Sequence, residues 1–156
     1  GNGIMSEVMH IKVDHTDSLC RVVQFFETIS IEAAQQQLGQ IYAADAYFKD
    51  PFSEVCGLPA ITPIFIHMFS QVENPRFVVT NTVLQGDDAF MTWNFLFHMR
   101  RYSSDEQCIR GATHLRFNTD GRVNAHRDYW DAAEELYEKL PLVGGLMRVL
   151  KRIAKK

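Results

Sequence analysis

Close to Arg76 the spacing of apolar residues changes period, and that change restricts the chain more than any other feature. Upstream, apolar residues recur at the three-to-four-residue spacing of an α-helix; downstream they alternate, as on a β-strand. Leu19, Val22, Val23, Phe26 and Ile29 form the first helical stripe, behind the cap candidates Thr16, Asp17 and Ser18. Ser30 caps a second, Gln-rich helix with the stripe Ala34, Leu38 and Ile41. Tyr42 to Lys49 is a short aromatic segment stopped by Asp50-Pro51, because the residue before proline disfavours the helical region. A third helix starts near Pro59. Its Ile61, Ile64, Phe65, Met68, Phe69 and Val72 are apolar on most sides, which predicts deep burial.

The second half reads as hairpin-connected strands. Phe77 to Leu84 is rich in β-branched residues and ends at the turn Gly86-Asp87-Asp88. Phe90 to Arg101 alternates: Met91, Trp93, Phe95, Phe97 and Met99 share one parity, and Thr92, Asn94, Leu96, His98 and Arg100 the other. After Ser103-Ser104-Asp105, strands follow at Cys108 to Phe117 and Arg122 to Trp130, separated by Asn118-Thr119-Asp120-Gly121. Three helices followed by such strands predict an α+β fold, with the helices on one face of a curved antiparallel sheet. His98 and His114 fall on the outer face.

Composition narrows the functional classes. With 156 residues, 46% of them hydrophobic, and a net charge of -3, the chain supports one core and excludes a disordered chain. No apolar run reaches the roughly 18–20 residues that span a bilayer, and the N-terminus lacks the layout of a secretory signal. Cys20, Cys56 and Cys108 are odd in number and widely spaced, so they read as small buried apolar residues in a reducing, cytoplasmic setting. The six histidines have no metal-ligand spacing, and no P-loop, G-x-G-x-x-G or G-x-S-x-G is present. Neither metal nor cofactor is expected.

The end of the chain differs in kind. Asp131 to Glu138 is acidic, Lys139-Leu140-Pro141 and Gly144-Gly145 interrupt, and Leu146 to Lys156 is cationic without a carboxylate. Leu146, Val149, Leu150 and Ile153 share one helical face. Two readings stand. The helix docks on its own domain or a partner copy with Gly144-Gly145 as hinge, or it lies on a membrane surface. The expected organisation is an arm at residues 1–15, a domain at 16–131 and a helical tail at 132–156.

Two stretches carry a family resemblance. Ile41-Tyr42-Ala43-Ala44-Asp45-Ala46-Tyr47-Phe48-Lys49-Asp50-Pro51-Phe52, and Leu115 to Val123 running on to Asp128-Tyr129-Trp130, resemble the nuclear transport factor 2-like superfamily. Within it they look closest to ketosteroid isomerase and the SnoaL-type polyketide cyclases. The resemblance implies a cone of helices over a bent sheet with an apolar pocket inside. It places Asp50 where ketosteroid isomerase has its carboxylate base. Phe26 and Thr113 stand where that enzyme has its tyrosine and second aspartate, and neither supplies the same donor, which argues against steroid isomerisation.

Strand parity puts Asn124, His126, Asp128 and Trp130 on one face, with alternate residues about 7 Å apart. The family's terminal Trp looks into the pocket, so the resemblance assigns His126 and Asp128 to the interior. An imidazole exchanges protons near neutrality, and a carboxylate orients it or acts as base. The candidate catalytic residues are therefore Asp128, His126 and Asp50, in a pocket lined by Phe26, Trp93, Phe95, Thr113, Leu115 and Trp130. Asp50 serves equally as a turn cap, His126 as a satisfied interior histidine, and Asp128 as its structural partner. The expected ligand is a small apolar molecule, acted on by a cyclase, isomerase or dehydratase or simply bound. A homodimer is expected through Thr92, Asn94, Leu96 and His98. Nucleic acid is not expected, because the cationic run lies in the tail and the domain itself is acidic.

Overall fold

The change of period at Arg76 becomes a change of layer. The computed structural model describes residues 12–99, 105–139 and 143–155. Three helices lead, α1 (Thr16–Glu27), α2 (Ile31–Gln36) and α3 (Leu38–Ile41), followed by β1 (Tyr42–Lys49) and the short β2 (Glu54–Cys56). Helix α4 (Leu58–Gln71) leads into β3 (Val72–Gln85), β4 (Asp88–Met99), β5 (Glu106–Phe117) and β6 (Val123–Tyr129). After β6 come α5 (Ala132–Glu135), a 3-10 turn (Tyr137–Lys139) and α6 (Val143–Ala154). The turn expected at Ser103-Ser104, residues Arg100, Arg101, Leu140, Pro141 and Lys156, and the first eleven residues of the expected arm lie outside the described residues.

The sheet order is β2-β1-β6-β5-β4-β3. Strands β3 to β6 pair antiparallel in succession. The junction of β1 with β6 is parallel, with Phe48 opposite His126, in a sheet otherwise antiparallel as expected. The core joins Leu19, Val22, Phe25 and Phe26 of α1 to Met91, Trp93 and Phe97 of β4, so the α1 stripe and the odd parity of β4 face each other.

Several boundaries differ from the sequence reading. The candidates Thr16 to Ser18 lie inside the first turn of α1, and His15 takes the cap position. The Asp14 carboxylate accepts the Thr16 amide at 3.0 Å and its hydroxyl at 2.6 Å. Ser30 does cap α2, accepting the Ala33 amide at 3.0 Å, but the second helix is broken at Gln37. Strand β3 starts at Val72 despite Pro75. A bulge between Glu73 and Arg76, with Asn74 at φ 51°, absorbs the missing donor on an edge strand. Helix α4 buries only Ile61 and Phe65 fully, because Ile64 and Met68 face a cavity. Cys20 and Cys56 are exposed and Cys108 half-buried, contrary to the buried reading. Gly144-Gly145 are helical within α6, and Leu146, Val149, Leu150 and Ile153 are exposed.

Candidate functional site

The inward parity of β4 does not close on the helices. Between α4 and the concave sheet face lies a cavity of about 900 Å³, walled by Met91, Trp93, Phe95, Phe97 and Met99 on one side and Ile64, Phe65 and Met68 on the other. Among the described residues no Lys or Arg lines it; its polar side chains are Asp50, Ser53, His67, Gln71, Thr113, His126 and Asp128.

Five side chains from four strands form one hydrogen-bonded line in its wall. The Tyr42 hydroxyl meets His126 Nδ1 at 2.7 Å, and His126 Nε2 meets Asp128 Oδ1 at 2.7 Å. The Thr113 hydroxyl donates to the same Oδ1 at 2.6 Å, and Trp93 Nε1–H donates to Thr113 Oγ1 at 2.8 Å. Pairing explains the convergence: Thr113 stands opposite Asp128 in the β5–β6 register, and β1 lies beside β6.

The direction of each bond follows from what each group can do. Indole N–H only donates, so Thr113 accepts from it and donates its own hydroxyl hydrogen bond to Asp128. Complete burial holds the Tyr42 phenol well above its ordinary value of 10.0, and the Asp128 charge adds to this. Tyr42 is therefore a neutral phenol facing Nδ1, while a carboxylate at Asp128 accepts from Nε2–H; in the tautomer with its proton on Nε2, Nδ1 accepts from the Tyr42 hydroxyl. Both bonds end on Oδ1; among the described residues Oδ2 accepts none. His126 is 2% exposed against 19% for the Asp128 side chain, so the carboxylate is the more accessible end. Phe48 and Phe26, at 4.7 and 5.9 Å between ring centres, hold the imidazole in place.

A glycine makes room for the indole. Gly111 is opposite Trp93 in the β4–β5 register, and a Cβ there would stand 2.4 Å from the ring. Trp93 thus lies across the backbone of β5, where its N–H reaches Thr113.

Of the residues singled out from sequence, Phe26, Trp93, Phe95, Thr113 and Trp130 line the cavity together with Asp50, His126 and Asp128. Leu115 does not. It shares the inward parity of Thr113, but the cavity wall on β5 ends at Thr113 and Leu115 is fully buried in the core. Asp50 is spent largely on its own loop: Oδ1 accepts the amides of Phe52 at 2.8 Å and Ser53 at 2.6 Å. Tyr42 escaped the sequence reading. Its signal is a lone hydroxyl in the aromatic segment, and its partner is 84 residues away. His114 is placed on the far side of the sheet, 2.8 Å from Asp88 and stacked on Phe90 at 4.4 Å.

Comparison with known proteins gives a family and a fold. Residues 22–126 match the model of the SnoaL-like domain. Among curated proteins no significant match is found. A ketosteroid isomerase-like protein from Catenulispora acidiphila, solved with trimethylamine, is 18% identical, with a TM-score of 0.66 over 78% of this chain and 90% of that one. A proposed SnoaL-like polyketide cyclase from Jannaschia is 14% identical, with a TM-score of 0.63 over 80% and 90%. An epoxide hydrolase of the LEH-like type from M. tuberculosis is 12% identical, with a TM-score of 0.62 over 93% and 98%. At these identities the likeness carries the fold alone.

Proposed function

The chain belongs to the SnoaL-like domain family, and from that premise we propose that its cavity is an active site for cofactor-independent acid–base chemistry on a small apolar molecule. The observation that carries this reading is the Tyr42–His126–Asp128–Thr113–Trp93 line set in an otherwise aromatic wall. Asp128 is the base. Its Oδ1 is held by two donors, and the unengaged Oδ2 takes a proton from a carbon acid in the cavity. The C–H bond breaks, an O–H bond forms on Asp128, and the electron pair enters the π system of the substrate. Return of the proton to another carbon completes an isomerisation. Attack of the carbanion on an internal carbonyl, with the Asp128 proton passing to the alkoxide that forms, completes a cyclisation; loss of a β-hydroxyl, which takes the same proton and leaves as water, completes a dehydration. His126 keeps Asp128 oriented, Tyr42 fixes the tautomer, and Asp50 is the alternative base at the first strand's end.

A second reading, a ligand-binding module without turnover, is favoured by one observation. Phe26, 4% exposed in the cavity wall, brings no donor to a developing oxyanion.

Deuterium uptake separates the two. Apolar ketones incubated with the protein in D2O are expected to exchange at the carbon beside the carbonyl. Asp128→Asn should slow exchange by about 10²–10⁴-fold, the range of general acid–base catalysis, while ligand-induced quenching of tryptophan fluorescence persists. Undiminished exchange by Asp128→Asn removes Asp128 from the mechanism; quenching without exchange in the unaltered protein leaves the binding module.

A further inference from the structure

Helix α6 presents its apolar face to solvent. Leu146, Val149, Leu150 and Ile153 lie on one side of it and are 59, 43, 48 and 64% exposed. A helix that folds onto its own domain buries such a stripe. This one is held by its cations instead. Arg148 donates to the Glu138 carbonyl at 2.6 Å, and Lys151 pairs with the Glu138 carboxylate at 3.3 Å. The bond to Glu138 raises the Lys151 ammonium above its ordinary value. Arg152 and Lys155 make no ion pair among the described residues, and residues 143–155 contain no carboxylate.

The tether sets where the helix sits. Glu138 belongs to the 3-10 turn, whose Tyr137 ring lies 6.3 Å from Phe52. Phe52 is 57% exposed and packs edge-on to Trp130 at 5.5 Å. Phe52, Trp130 and Leu136 also line the cavity. The tether therefore joins α6 to the segment that borders the cavity rim, with the apolar stripe on the opposite side of the helix from Arg148 and Lys151.

We propose that α6 is a membrane-surface anchor that seats the protein on an anionic lipid leaflet. Charge complementarity selects the occupant. The helix is cationic with an apolar stripe, and an anionic leaflet offers the matching headgroups and acyl layer. A second α6 packed stripe to stripe would bring these cations no counter-charge. Twelve residues make a helix of about 18 Å, which lies on a bilayer rather than crossing it; no described helix is long and apolar enough to cross. The anchor does not depend on the acid–base reading of the cavity.

The test is co-sedimentation of the full chain with phosphatidylcholine vesicles, with and without phosphatidylserine. Binding is expected only where phosphatidylserine is present, and it should weaken as salt rises. Because the altered side chains are exposed, Leu150→Glu/Ile153→Glu should keep the circular dichroism of the fold and lose binding. Arg152→Ala/Lys155→Ala should weaken binding about 25-fold, about fivefold per cation. Failure of the unaltered chain to bind these vesicles overturns the proposal, as does binding that survives Leu150→Glu/Ile153→Glu. Self-association abolished by the same pair, with no vesicle binding, identifies a second copy as the occupant and overturns it equally.

Discussion

A single methyl group at Gly111 tests the architecture that aims Asp128. A Cβ there would stand 2.4, 2.5 and 2.9 Å from three carbons of the Trp93 ring, against about 3.5–4.0 Å for carbon contacts. The indole is 5% exposed and packed edge-on against Phe77 at 5.5 Å, so it has little room to retreat. Gly111→Ala forces it off β5 and breaks the bond to Thr113, which is itself 2% exposed. Overpacking costs about 1–3 kcal/mol and the unmet indole donor about 1–3. The gain of replacing glycine in a strand returns about 0.5–1 kcal/mol. A net loss of about 1–5 kcal/mol follows, which for a domain of this size lowers Tm by about 2–20 °C. Urea unfolding measures it, and a Trp130→Phe background isolates the emission of Trp93. Gly111→Ala combined with Trp93→Phe should cost less than the sum of the single changes, since the smaller ring vacates the contested space. Unchanged stability and unchanged Trp93 emission in Gly111→Ala would refute the reasoning.

Two further outcomes are expected. Because the Tyr42 phenol is raised in the folded protein, the folded state keeps a proton that the unfolded chain releases above pH 10. Its contribution to stability is fully present below that pH and declines as pH rises further, by about 1.4 kcal/mol per unit; Tyr42→Phe should remove that component of the slope in alkaline unfolding curves. Sedimentation is expected to show a homodimer through the face of Thr92, Asn94, Leu96 and His98. Leu96→Glu should weaken it at least about tenfold, and a monomer at micromolar concentration would remove this face as an interface.

What the sequence revealed was local. Period alone placed the α1 stripe and the inward row of β4, and period two put His126 and Asp128 on one face, where they meet at 2.7 Å. Thr113 came from the family resemblance, and its register partner is Asp128. What stayed hidden depends on pairing between distant segments. Tyr42 reaches His126 only because β1 runs parallel to β6, and no spacing within either strand encodes that. Gly111 reads as a weak strand residue until the indole opposite it is seen. The apolar surround of α4 resembles that of a buried helix, but a cavity accepts the same residues as a core. Leu115 failed as a wall residue because parity gives the face and not where along the strand the cavity ends.

The parallel junction of β1 and β6 also governs when the site comes into being. Strands β3, β4 and β5 pair with their neighbours in sequence, whereas β1 must find β6 across an intervening chain that separates Tyr42 from His126 by 84 residues. Closing so large a loop costs entropy before its contacts return anything, and contacts of this separation slow folding. Until it closes, His126 has neither its phenol donor from β1 nor the Phe48 ring against its own. The imidazole therefore gains its phenol partner only when the most distant strands have met, whereas Thr113 meets Asp128 within the meander. Chains that hold only the antiparallel meander contain His126, Asp128 and Thr113 but lack the group that fixes their polarity, so the chemistry of the cavity reports complete folding rather than partial order.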